Sequence, residues 1–132
     1  MSVAVYRNTE PRSALLLATR TAYTQSSTII ADGFKGVHWW IDVTAASGTG
    51  GLTMQLITID PIRNTILGGF IFHTAINSVI LASGFIYPGA RENQTNNIIA
   101  SLPLIVPPRF RFSIIHADAS NYTYSLNYAF IE

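Results

Sequence analysis

The chain has 132 residues, of which 48% are hydrophobic and 11% charged; eight Lys and Arg nearly cancel seven Asp and Glu, leaving a formal net charge of +1. That length suits one domain, and the composition excludes both a disordered tail, which is poor in apolar residues, and a nucleic-acid binder, which needs a dense basic surface. So little charge leaves much of the surface uncharged and favours a protein partly covered by something else.

In chain order, residues 1–12 read as an arm, because Val3, Val5 and Tyr6 are apolar but Pro11 stands before the first strand. Arg7 and Arg12 precede the apolar run Ala14-Leu15-Leu16-Leu17-Ala18. That run falls short of the roughly 7–15 residues of a secretory leader, and no stretch approaches the roughly 18 apolar residues of a membrane span. The mature protein is therefore expected to begin near Met1 and to be soluble, with no membrane partner. Ala14 to Tyr23 is the first expected strand, and Ile29-Ile30 a short piece of edge. From Val37 to Val43, alternation puts Val37, Trp39, Ile41 and Val43 on one face, with Trp39 inside and Trp40 outside. Ser47-Gly48-Thr49-Gly50-Gly51 reads as a hairpin loop, and Leu52 to Ile59 as a strand closed by Asp60-Pro61. Ile66 to Thr74 and Ser78 to Tyr87 follow, with glycines 68, 69 and 84 suggesting bulges or a close backbone approach. Residues 90–97 form the most polar stretch and an exposed loop.

The clearest alternation is at the end. Phe110, Phe112, Ile114 and His116 share one face, against Arg109, Arg111, Ser113 and Ile115. After the turn formers Asp118-Ala119-Ser120-Asn121 it resumes with Tyr122, Tyr124, Leu126, Tyr128 and Phe130. This predicts a terminal antiparallel hairpin with one buried face. The fold class is all-β: an antiparallel β-sandwich of jelly-roll type over residues 13–132, with an N-terminal arm over 1–12. Trp39, Ile41, Phe112, Ile114, Leu126 and Tyr128 are its expected core.

Chemistry is sparse. The chain has no cysteine, which removes disulfides and thiol ligands. His38, His73 and His116 lie on separate strands without metal-ligand spacing, so no metal and no cofactor is expected. Asp42 shares a strand face with His38, but no Gly-x-Ser-x-Gly elbow accompanies them. Paired carboxylates are lacking too, since nearly all Asp and Glu fall in turns or termini. An enzyme is not expected. Outward Trp40 suits a subunit contact better than a sugar platform. Arg109 and Arg111, on the outer face of the penultimate strand, read equally as partners of a neighbour's carboxylates or as a solvated strand face.

From Gly36-Val37-His38 through Asp42-Val43-Thr44-Ala45-Ala46-Ser47-Gly48-Thr49 the chain resembles a family of small β-rich proteins encoded in the structural-gene regions of tailed bacteriophages. Leu52-Thr53, Asp60-Pro61, Tyr87-Pro88-Gly89, Leu102-Pro103, Arg109-Phe110-Arg111, His116-Ala117-Asp118 and Tyr122-Thr123-Tyr124-Ser125 continue the resemblance in the same order. It covers about residues 13–131. Gly50-Gly51 stands where the family more usually has a Pro-Ser pair, and the 90–97 loop and Pro107-Pro108 are particular to this chain. The resemblance implies a virion component made in the host bacterial cytoplasm: a capsid decoration (cement) protein that binds and braces the outer surface of the head. Its implied partners are the major capsid protein and further copies of itself, as a trimer on three-fold positions. On that basis Tyr6, Arg7 and Arg12 of the arm are expected lattice contacts, with Trp40 at a subunit interface. The rival expectations are a tail or baseplate component and a carbohydrate-binding module for host attachment.

Overall fold

The computed structural model describes residues 9–88 and 105–132. They form nine strands: β1 (Arg12–Arg20), β2 (Thr24–Gln25), β3 (Ile29–Ile30), β4 (Gly36–Ala46), β5 (Leu52–Ile59), β6 (Ile66–Ile76), β7 (Ile80–Ile86), β8 (Arg109–His116) and β9 (Tyr122–Ile131). All pairings are antiparallel. One sheet runs β1-β9-β4-β7 and the other β2-β8-β5-β6, with β3 also on β8. Taking β2 and β3 as one interrupted strand leaves eight, with the chain passing back and forth between the sheets. This is a jelly roll, and the expected all-β sandwich is what the chain forms.

Alternation predicts which side chains are buried. Val37, Trp39, Ile41 and Val43 of β4 face Phe110, Phe112 and Ile114 of β8 across the interior, with Tyr124, Leu126 and Phe130 beside them, and all are fully buried. The rings interlock between sheets: Phe112 lies 6.0 Å from Tyr128, and the Trp39 ring meets Phe72 edge-on at 4.9 Å. Such pairs contribute about 0.5–1.5 kcal/mol each beyond the area they bury.

The expected terminal hairpin does not form. β8 belongs to one sheet and β9 to the other, so Asp118–Asn121 carries the chain across the sandwich. In a hairpin, both aromatic faces would lie side by side in a single layer; crossing lets each cover the other. For the same reason Ser47–Gly51 is a crossing from β4 to β5 and not a hairpin loop. The one hairpin among the described strands joins β5 to β6. Its turn is closed by the Asp60 N–H to Thr65 O and by Asn64, which takes φ 56° and donates to Asp60 O, while the Asp60 carboxylate accepts the Ile62 N–H at 2.9 Å.

Smaller differences follow from pairing. β1 begins at Arg12, inside the expected arm, and ends at Arg20, short of Tyr23. Its path continues upstream: the Thr9 N–H donates to Phe130 O at 2.8 Å and Thr9 Oγ1 accepts the Phe130 N–H at 3.0 Å. The expected bulges lie in β6, where the register against β5 shifts beside Gly68, and not at Gly84, since β7 pairs with β4 without a shift.

Candidate functional site

Two of the segments that carry the phage resemblance meet at one corner. Ser47 to Gly51, leaving β4, lie against His116 to Tyr122, between β8 and β9. The Ser47 N–H donates to Asn121 O, and Ser47 Oγ accepts the Asn121 N–H at 2.9 Å. The Asp118 carboxylate accepts the Gly50 N–H at 2.8 Å and the Ser120 N–H at 3.1 Å, and the Tyr122 hydroxyl reaches it at 3.3 Å. That hydroxyl in turn accepts the Gly51 N–H at 3.0 Å. Donation by Gly50 first and Ser120 second holds the Asp118 carboxyl below its ordinary value, because each bond favours the ionised form. Gly51 sits at φ 86°, in the left-handed region open to glycine.

Two further groups brace this corner. His116 Nε2 lies 2.9 Å from the Tyr124 hydroxyl. Burial lowers the pKa of His116, with Asp118 opposing and Arg20 reinforcing the effect, while burial raises that of Tyr124. Arg20 lies over the Tyr124 ring at 4.7 Å, and its Nη1 donates to Tyr124 O at 2.8 Å and its Nη2 to Leu16 O at 2.6 Å. It thereby fastens the irregular middle of β1 to β9. Sequence patterning singled out neither Arg20 nor the carboxylate of Asp118. The available signals were that Asp118 falls in a turn where Asp is favoured for its side-chain acceptor and that it belongs to one of the resemblance motifs.

The expected contact residues that are described do not converge. Tyr6 and Arg7 lie outside the described residues. Arg12 opens β1, its guanidinium 5.6 Å from the Phe130 ring, which Phe34 stacks on at 4.4 Å. Trp40 is half-buried on the outer face of the β1-β9-β4-β7 sheet, paired in register with Ser83 on one side and Asn127 on the other. Arg109 and Arg111 belong to the other sheet. Arg109 pairs with Asp32 at 3.4 Å, Arg111 Nε donates to Thr28 Oγ1 at 3.0 Å, and Arg111 Nη1 donates to Gln25 Oε1 at 3.3 Å. Both arginines thus hold the short β2–β3 segment to β8.

His38 stacks on Phe85 at 4.5 Å, and burial lowers its pKa. Four residues along an extended strand set Asp42 roughly 13 Å away, so the two do not form a catalytic pair. Among the described residues no three of His, Cys, Asp and Glu gather where they could hold a metal ion. No helix there is long and apolar enough to cross a membrane.

What the surface offers is apolar. Leu16 (76% exposed) and Leu17 project from β1, Tyr23 precedes β2, Ile30 ends β3, and Ile62 (91%) tips the β5–β6 turn. On the opposite flank Ile66, Leu67 and Ile71 of β6 lie exposed, with Val79 and Leu81 at β7.

No protein-family model matches the chain, and no curated protein matches it. Among solved structures it aligns over 98% of its length, and 94% of the other chain, with a protein of Bacillus endospore appendages described as a novel family of disulfide-linked pili. Identity is 15% and the TM-score 0.40.

Proposed function

We propose that this protein is a structural component of a tailed-bacteriophage virion, a decoration protein that sits on the outer surface of the head and braces it. The observation that carries the proposal is the apolar surface: large aliphatic side chains stand in water along both flanks of a sparsely charged sandwich. Such exposure is costly for a free monomer and useful for one pressed between neighbours. The motif order supports the phage assignment, and two of the motifs, Ser47–Gly51 and His116–Tyr122, meet in a laced corner that stiffens the sandwich. In this role the protein does no chemistry. It spans adjacent capsid subunits, and many modest contacts per particle add by multivalency.

The test is the copy number of this chain relative to the major capsid protein in purified particles, by quantitative mass spectrometry. A ratio near one, or a simple fraction of it, supports lattice decoration. A few to a few dozen copies per particle would move the protein to the tail or baseplate, and its absence would remove the virion role. Trp40 favours one second reading, since an outward indole flanked by Ser83 and Asn127 offers a stacking surface with hydrogen-bonding neighbours. Glycan binding that is lost in Trp40→Ala would support a host-attachment module; a blank glycan array would dispose of it.

A further inference from the structure

The four sheet edges of this molecule are not alike. A strand edge presents unpaired N–H and C=O groups, and proteins blunt it with short strands, bulges or charge. β2 and β3 are two residues each. β1 breaks register twice against β9 and carries an arginine at either end. β6 shifts register at several points against β5. β7 has none of these devices. Its pairing with β4 runs unbroken from Val37 opposite Ile86 to Val43 opposite Ile80, and no described strand lies on its other side. Nor does the strand itself carry charge: from Asn64 to Ala90 the sequence has no Asp, Glu, Lys or Arg, and the acidic group next to it is Asp42 of β4, in register with Leu81.

We propose that β7 is a self-pairing edge through which two copies of this chain associate about a two-fold axis. The resulting sheet is continuous, in the order β1-β9-β4-β7 and then β7-β4-β9-β1 of the partner. Three features point to a second copy as the occupant. A strand pairing with its own two-fold mate is antiparallel by symmetry, and such an interface is self-complementary. β7 itself carries neither sign of charge, so two copies of the strand meet without like charges directly opposed, and Asp42 lies one strand back from the edge. The other edges of a second copy are blunted, which leaves its β7 as the edge it can offer. Full overlap of Ile80–Ile86 centres the axis on Ser83 and sets Leu81 of each copy opposite Phe85 of the other. Val79 before β7, and Ile66, Leu67 and Ile71 on β6 at the edge of the other sheet, are further exposed apolar side chains. This goes beyond the proposed virion role and does not depend on it. It also replaces the three-fold cluster implied by the phage resemblance with a pair.

The absence of cysteine makes the test direct. Residues directly opposed on antiparallel strands have Cα atoms about 4.5–5.5 Å apart, within disulfide reach. Ser83→Cys in the full chain is expected to give a covalent dimer on mild oxidation, and Leu16→Cys, on the opposite flank, is not. Unmodified protein should sediment as a dimer, and Leu81→Lys should weaken the dimer about tenfold or more while its circular dichroism stays that of the parent. A monomer at high concentration, a trimer, or a dimer indifferent to Leu81→Lys and cross-linked equally well through Leu16→Cys would overturn the proposal. Protection of the β7 amides only on capsids would assign the edge to the capsid protein and overturn it as well. Copy number in the virion is read independently, so failure here and failure of the decoration role are distinguishable.

Discussion

A single methyl group at Gly48 tests whether the corner holds the crossings in place. A Cβ there would meet the Tyr122 hydroxyl, Ser120 Cβ at 2.6 Å and Asp118 Oδ1 at 2.7 Å. None of the three can yield cheaply. Tyr122 is fully buried, Ser120 Cβ moves only with its backbone, and the Asp118 oxygen is already held by the Ser120 N–H. Overpacking of this kind costs about 1–3 kcal/mol, and each hydrogen bond given up adds about 1 kcal/mol. Gly48→Ala should therefore lose about 2–4 kcal/mol, a fall of roughly 6–20 °C in Tm for a domain of this size. Gly68→Ala is the matched control. Its Cβ meets nothing within 4 Å and its φ is not left-handed, so it should leave stability unchanged or raise it by about 0.4–1 kcal/mol through the unfolded state. Thermal and urea unfolding of the two variants measure the difference. Equal melting temperatures would refute the idea that the β4–β5 crossing is packed tightly on the β8–β9 turn.

Gly36→Ala should be the costlier glycine change, because its Cβ would strike Ile86 O and Tyr87 Cβ, most of it backbone that cannot rotate away; loss of soluble folded protein is the expected readout. Burial lowers the pKa of His38 and His116 from 6.5, so the unfolded chain binds more protons below that value. The urea midpoint should then fall from about pH 7 to pH 5, and His116→Gln should flatten part of that fall. Asp118, whose pKa is depressed, stabilises the fold above the ordinary carboxylate value and loses that effect as pH falls through its own. The deficit of Asp118→Asn relative to the parent should accordingly be largest near neutrality and vanish in strong acid. Arg111→Ala removes the bonds to Thr28 and Gln25 and should cost about 1–2 kcal/mol, with faster amide exchange confined to residues 25–30.

Face, but not neighbour, is legible in a strand sequence. Period-two alternation put Trp39 inside and Trp40 outside, and Leu52–Ile59 and Ile29–Ile30 are strands as expected. The same alternation is blind to which strand lies alongside, because a residue pointing inward does so whether its strand turns back in one sheet or crosses to the other. That is why Asp118–Asn121 and Ser47–Gly51 read as hairpin connections. The corner they build was visible only as turn formers, since Asp118 finds Gly50 across 68 positions of chain. Arg109 and Arg111 were legible as outward side chains, but their partners Asp32, Thr28 and Gln25 sit in a segment whose strands are too short to leave a periodic signal.

Scarcity of charge has a different meaning in different parts of this surface. Around β1 and β8 the few arginines are spent on internal bonds, Arg20 to Leu16 and Tyr124, and Arg111 to Thr28 and Gln25. They therefore secure the edge strands to the sheets and leave little positive surface for recognising anything acidic. Along β6 and β7 there is no charge to spend, and the flank relies on bulges alone to discourage pairing, at β6 but not at β7. A protein selected only to stay monomeric would place a lysine there at small cost. Retaining an unbroken, uncharged edge beside a blunted one is what a chain requires when one flank is to be joined and the other edges kept from joining at random.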